Sequence, residues 1–364
     1  MIIPGNMLPV TTELELFYRA KGLAGVMSID PRIKFLRQYG ATPMAYSTLQ
    51  PGLDYFFTYE GYIAFAQKED HVFALGDPLS SEEDYAKVIV AFSEFARNAR
   101  LSIAAVQIGR QAARAYQEQG KTVNQIGIET ELDISTFTLS GGEKYQVRHW
   151  YNMAKKQGVR VHEIDGNQEA AKDFKHVSDR WLQKKGEKEL SFLTRPLVEG
   201  KELDVRRFYA TMDDQVMGIT YFNPLYQDGQ IIGYYHDIVR ILPEAPHGTS
   251  DLIVVDAITK FKEEGKTGCS FGLSPFYRID HEIESYSPKI RSFIEFMFEN
   301  GEKIYPAQGN AFHKDKYRGR KKPTYVAVES DKIQTINGVL DEITRIFDLI
   351  GLDAYSLEMS FFGI

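Results

Sequence analysis

The chain has 364 residues and a formal net charge of −7. Hydrophobic residues make up 43% and charged residues 26%, which allows a sizeable core and excludes wholesale disorder. The acid excess excludes a general basic coat for nucleic acid, and the lone Cys269 excludes an internal disulfide or a multi-cysteine metal site.

At ~100–200 residues per domain, two or three domains are expected. Residues 1–22 show no basic head followed by an apolar stretch, so no secretory signal is expected. No apolar run reaches the ~18–20 residues of a membrane span. Together with single-cysteine usage, this predicts a reduced, cytoplasmic setting.

Tyr62–Gln67 and Val72–Leu75 read as strands around a turn, and Gly76-Asp77-Pro78 breaks the pattern. Glu82–Arg97 reads as a helix with Tyr85, Val88, Phe92 and Phe95 on one stripe. A strand, Leu101–Gln107, and a helix, Gln111–Gln119, follow. Two more helices, Glu143–Gln157 and Ala170–Lys185, come next. Then the first order recurs. Val205–Met212, Gln215–Phe222 and Ile231–Leu242 are strands, Asp251–Glu264 is a helix ending at Gly265, and Thr267–Leu273 is a strand. Ser287 and Pro288 open a helix to Glu299. Ile333, Ile336, Leu340, Ile343, Phe347 and Ile350 predict an amphipathic tail helix, more suited to packing on the body than to anionic lipid. The repeat predicts an α+β protein of two similar units, residues 1–165 and 166–330, with a tail at 331–364.

Several motifs resemble chemistry. Leu139-Ser140-Gly141-Gly142-Glu143 resembles an ATPase signature loop, but no P-loop accompanies it, and a glycine turn into a helix explains it. Gly268-Cys269-Ser270-Phe271-Gly272 matches a nucleophile elbow. Ser270 nevertheless falls inside a strand, where small residues instead admit close packing. The eight histidines are scattered, and no metal site is expected. In the strand Tyr234–Arg240, alternation puts Tyr235 and Asp237 on one face and His236 and Arg240 on the other. An Asp there is either a satisfied ion pair or a grip for a substrate ammonium, with an arginine nearby for an anion. Asp251 is explained as an N-cap. The run Lys314 to Pro323 is the one strongly basic segment: a solvated loop, or a phosphate-contact surface.

Taken in order, these pieces resemble one family. They are Gly76-Asp77-Pro78; Ile128-Glu129-Thr130-Glu131-Leu132-Asp133 with Phe137-Thr138-Leu139-Ser140-Gly141; Arg148; Val177-Ser178-Asp179-Arg180-Trp181-Leu182 with Glu189 and Phe192; Asp237-Ile238-Val239-Arg240; Gly248-Thr249-Ser250-Asp251; Ser270 to Pro275; and Phe312-His313-Lys314 to Tyr325. The chain resembles the catalytic domain of phosphatidylglycerol lysyltransferases, the multiple peptide resistance factor family, over about residues 60–328. The resemblance implies tandem acetyltransferase-like (GNAT) folds. It implies transfer of an aminoacyl group from aminoacyl-tRNA to a hydroxyl of phosphatidylglycerol or a similar acceptor, without cofactor, metal or DNA. Contact with the inner membrane face would be peripheral. Asp237 and Arg240 would be catalytic. Asp251, Ser270, Tyr235 and Asp179 would bind substrate. Lys314, Lys316, Arg318, Arg320, Lys321 and Lys322 would meet the tRNA. The rivals are a silent GNAT-like binding module and an acyl-CoA-dependent N-acyltransferase. The stretches before the two unit helices lack the pyrophosphate loop the latter needs.

Overall fold

The computed structural model describes residues 2–3, 30–164, 168–185 and 189–352. The outer parts of the predicted first unit and tail, 4–29 and 353–364, lie outside the described residues.

The predicted order occurs twice. β1 (Ile2–Ile3) pairs with β2 (Asp54–Phe57), which continues into a meander with β3 (Tyr62–Lys68) and β4 (His71–Leu75). Between β1 and β2 lies α1 (Pro31–Tyr39). Helix α2 (Tyr85–Asn98) crosses over to β5 (Ser102–Ile108), which is parallel to β4. Helix α3 (Arg110–Glu118) leads to β6 (Lys121–Asp133). Helix α4 (Tyr145–Lys156), β7 (Arg160–Glu163) and α5 (Gln168–Lys185) connect to the second meander. That meander is β8 (Arg206–Met212), β9 (Gln215–Gln227) and β10 (Gln230–Ile241). Helix α6 (Thr249–Glu263) crosses to β11 (Gly268–Pro275), parallel to β10. Helices α7 (Pro288–Asn300) and α8 (Ala307–Asp315), strand β12 (Arg320–Glu329) and helix α9 (Ile336–Ile350) finish the described chain.

All strands join one twelve-stranded mixed sheet, ordered β1-β2-β3-β4-β5-β12-β6-β11-β10-β9-β8-β7. The last strands of the two repeats are exchanged. β12 pairs with β5, while β6 pairs with β11 and β12. Helices α2 and α3 bury their stripes on one face of the first half, with Val88, Phe92 and Tyr116 inside. Helices α4 and α6 cover the corresponding core of the second half, and α5 packs Phe174 and Val177 on the other face of β9. Helices α7 and α9 share a core with α1 and the remaining face of the first half.

Five of the described strands, β1, β2, β6, β7 and β12, escaped the sequence pattern. β6 carries fully buried Asn124, Gln125 and Thr130, which mimic a loop. Asn124 exchanges two hydrogen bonds with the Ser287 backbone, and the Gln125 side chain bonds the Gly127 and Arg278 carbonyls and the His281 N–H. Its polar groups thus pin the 276–287 connection. β12 begins inside the basic run.

The tail helix packs on the body as predicted, but Glu342 is not on a wet face. It is buried and faces His71: Nε2 lies 3.0 Å from Glu342 Oε1, and Nδ1 lies 2.8 Å from Asp70 Oδ1. Arg345 pairs with Glu69 at 2.7 Å alongside. The Glu342 hydrogen bond raises the His71 pKa above its ordinary value. A raised pKa means that the pair stabilises the fold fully below the unfolded value of ~6.5. That contribution is lost as pH rises through the folded value. The melting temperature should therefore fall as pH is raised from the acid side of that window to the alkaline side. The fall should shrink in Glu342→Gln, as measured by thermal melts in a pH series.

Candidate active site

The site forms where two parallel strands part. β10 and β11 pair only at Gly233–Gly268, Tyr234–Cys269 and Tyr235–Ser270. In the first half, β4 and β5 stay paired up to Leu75–Val106. Just beyond them, the buried Asp77 carboxylate accepts the Gly109 N–H at 2.7 Å, and burial pushes its pKa up to about 6. The pairing of β10 with β9 is also irregular between His236 and Val239. Strict alternation, which would separate Asp237 from Arg240, therefore fails: both line one chamber of about 440 Å³.

The chamber lining combines polar groups with an apolar wall. Tyr235, Asp237, Arg240, Asn310, His313 and Lys314 supply polar groups. Trp181, Ile290, Phe293, Ile343, Phe347 and Ile350 supply an apolar wall from α5, α7 and α9. Gly272, at φ +64°, lies under the Tyr235 ring, and a Cβ there would come within 2.6 Å of it. This close approach explains the small residues of the elbow-like motif.

Asp237 sits in a buried charge network. Arg195 Nε donates to Asp237 Oδ2 at 3.1 Å, and Asn223 Nδ2 donates to the same oxygen at 2.9 Å. Arg195 also donates to Asn223 Oδ1 at 2.8 Å and pairs with Glu202. Both bonds to Asp237 converge on Oδ2, and among the described residues Oδ1 receives none. Arg195 was not foreseen; it lies in a stretch without periodicity.

Arg240 Nη2 donates to Glu189 Oε1 at 3.0 Å, and the guanidinium lies 4.0 Å over the Trp181 ring. Its buried Nε has no hydrogen-bond partner among the described residues. Lys314 Nζ donates to the Leu273 carbonyl at 2.6 Å, and burial pulls its pKa down to about 7. Burial likewise pushes Glu129, bonded by Gln107 at 3.1 Å, up to about 7. His236 and His313 are pulled down to about 3 and about 4, both by burial first, so they are neutral at pH 7.

Other nominated residues lie elsewhere. Asp251 is outside the chamber lining. It accepts from Lys316 Nζ at 2.8 Å and from the Tyr317 hydroxyl at 2.6 Å, behind His313, whose Nδ1 accepts from the same Lys316 at 3.0 Å. Ser270 is also outside the lining, and its Oγ accepts the Gly272 N–H at 3.1 Å. Asp179 is exposed and pairs with Lys175 at 2.6 Å, while Trp181 of the same helix reaches the chamber. The basic run is not a solvated loop but a helix end, a turn and a strand. Lys314 and Lys316 point inward, Lys321 pairs with Asp315 at 2.5 Å, and Lys322 pairs with Glu131. Arg320 lies 3.8 Å from Glu131, and Arg318 bonds the Glu143 carbonyl at 3.5 Å. Acid partners thus take up most of the charge that suggested a tRNA surface.

A different basic surface went unnoticed. Residues 144–162 hold Lys144, Arg148, Lys155, Lys156 and Arg160 but no Asp or Glu. On α4, Tyr145 is 60% exposed and stacks on His149. The N-terminus of α6 is no open phosphate site, because Gly248 packs directly against the Trp150 carbonyl of α4. Among the described residues, no group of three or more His, Cys, Asp or Glu could hold a metal ion.

The family model for the C-terminal region of phosphatidylglycerol lysyltransferase matches residues 33–328. The chain belongs to this family. It is 24% identical over 319 residues to the phosphatidylglycerol lysyltransferase of Bacillus subtilis (strain 168), covering 86% of this chain and 36% of that protein. With the Staphylococcus aureus (strain COL) enzyme of the same name it shares 24% over 332 residues, covering 87% and 37%. The chain thus spans about a third of the length of these curated relatives. Its fold matches the structure of L-PGS from Bacillus licheniformis, with a TM-score of 0.73, 22% identity, and 88% of this chain and 96% of that one covered. It also matches the C-terminal domain of a putative lysylphosphatidylglycerol synthetase from Agrobacterium fabrum, with a TM-score of 0.72, 20% identity and the same coverage. Among the described residues, no helix is long and apolar enough to cross a membrane.

Proposed function

We propose that the chain transfers an aminoacyl group from aminoacyl-tRNA to a hydroxyl of phosphatidylglycerol or a similar anionic lipid. We read the repeat as two GNAT-like units, 1–165 and 166–330, with the active site in the second. The observation that carries this reading is the chamber where β10 and β11 part, whose lining joins polar groups to an apolar wall. An apolar wall suits acyl chain, while Arg240 and Asp237 suit a phosphate and an ammonium.

The donor is already an activated ester, so the protein needs to align, not activate. Asp237 Oδ1 holds the amino group of the aminoacyl moiety. Arg240 holds the lipid phosphodiester. The acceptor hydroxyl attacks the ester carbonyl and its proton passes to the neutral amine of Lys314. The ester bond to the ribose oxygen then breaks, and Lys314 returns the proton to that oxygen. Asp237 is instead held in place through Oδ2 by Arg195 and Asn223.

The tRNA lies along α4, whose cations lack acid neighbours in sequence and whose rings offer stacking. Lys155→Glu with Lys156→Glu should weaken tRNA binding about tenfold and lower the log–log salt slope by about one to two. Filter retention across a salt series reads both. The function itself is tested by whether label passes from aminoacyl-tRNA into phosphatidylglycerol vesicles.

A further inference from the structure

Helix α9 lies beyond residues 33–328, the span matched by the family model. It nevertheless forms much of the apolar chamber wall, through Ile343, Ile346, Phe347 and Ile350. Its two ends are fastened to different halves of the molecule. At the C-terminal end, Ser191 N donates to the Ile350 carbonyl at 2.8 Å, and Ser191 Oγ to the Leu349 carbonyl at 2.8 Å. Ser191 is two residues from Glu189, the partner of Arg240. Toward the N-terminal end, Glu342 pairs with His71 of β4 at 3.0 Å. The helix therefore runs from the Arg240 corner toward the first half. Ile350 and Ile343 lie seven residues apart along it, about 10 Å.

We propose that α9 gauges the length of the acceptor's apolar chain, with Ile343 as the stop and the His71–Glu342 pair as the contact that positions it. This rests on the reading of the chamber as a lipid site. A chain whose phosphate sits at Arg240 gains wall contact along Ile350, Phe347 and Ile346. Each methylene that finds such a wall tightens binding about fourfold. Past Ile343 the wall ends: Val339 and Leu340, one turn further along α9, are packed in the core and do not line the chamber. Close-packed protein leaves no room there for further hydrocarbon, so the gain ends at Ile343.

The test is binding of lysophosphatidylglycerols from butanoyl to stearoyl, each below its micelle threshold, with the chain-free headgroup glycerophosphoglycerol as the control. Fluorescence of Trp181, which lines the chamber and is one of two tryptophans, reports binding. Affinity in the native chain should climb with length and then level off. Ile343→Ala should move the levelling point to longer chains by about two methylenes, and Ile343→Phe to shorter ones by about as much. His71→Gln should blur the levelling point. Glycerophosphoglycerol, which has no acyl chain to reach Ile343, should bind all variants equally. Levelling at the native length in both Ile343 variants would overturn the gauge while leaving the lipid reading intact. So would a loss of glycerophosphoglycerol binding in both, since a stop cannot act on a ligand that has no chain. A native chain that binds no member of the series would overturn the lipid reading itself.

Discussion

Asp237→Asn should lower aminoacyl transfer by about 10³-fold while sparing tRNA retention. The size follows from what the carboxylate contributes. In a water-poor chamber, one fixed negative charge against the donor's ammonium aligns the ester carbonyl, and misalignment alone costs rates of that order. The amide keeps the shape but loses the charge. It also leaves Arg195 with Glu202 as its one remaining acidic partner among the described residues. Removing one partner of a buried pair typically destabilises by about 3–5 kcal/mol, and the surviving Glu202 puts the expected loss at the lower end. A melting curve therefore has to accompany the rate. Retention of tRNA should survive because α4 packs on the sheet face opposite α5. An Asp237 that was only a structural ion pair would give a folded Asp237→Asn protein of native rate.

Lys314→Arg should be nearly as damaging, by about 10²–10³-fold, although it keeps the positive charge. A general base must lose its proton near working pH, and guanidinium does not. In the native chain the rate should rise with pH through about 7 as Lys314 becomes neutral. Glu129 also titrates at about 7, and its negative charge favours the charged lysine. The limb thus belongs to the pair. Glu129→Gln should shift it to lower pH, since the lysine then loses the neighbour that held its proton. His236 and His313 are already neutral there and add nothing to the limb. Single-turnover rates across a pH series check this. An active Lys314→Arg with an unchanged profile would assign the residue a cation's role instead.

Much of the fold was legible because its elements are built on apolar period. The stripes of α2, α6 and α7, the β3–β4 hairpin and the second meander fall close to the predicted segments. What escaped is physically specific. β6 buries polar side chains that look like loop residues until their partners, 153–163 positions away, are known. β12 escaped because its lysines meet acids from β6 and α8, which no local window reveals. The exchange of β6 and β12 between the halves has no local signature at all.

The site was legible in part. Tyr235, Asp237 and Arg240 share the chamber. Asp251 and Ser270 do not, because nothing in strand alternation tells where β10 leaves β11. Lys314 reaches the chamber for another reason than the one its charge run suggested. It ends α8, and its side chain turns inward to the Leu273 carbonyl. The basic face of α4 was visible in principle: counting acids between Lys144 and His162 gives none.

The central claim is tested most directly by one transfer experiment. The purified chain is incubated with a pool of radiolabelled aminoacyl-tRNAs and phosphatidylglycerol vesicles, and label is followed into the organic phase. The account predicts label in lipid as a base-labile ester, with Asp237→Asn giving almost none. An organic phase without label, from a folded native chain that retains the tRNA, would contradict transfer to lipid. Absence of both label and retention would contradict aminoacyl-tRNA as the donor.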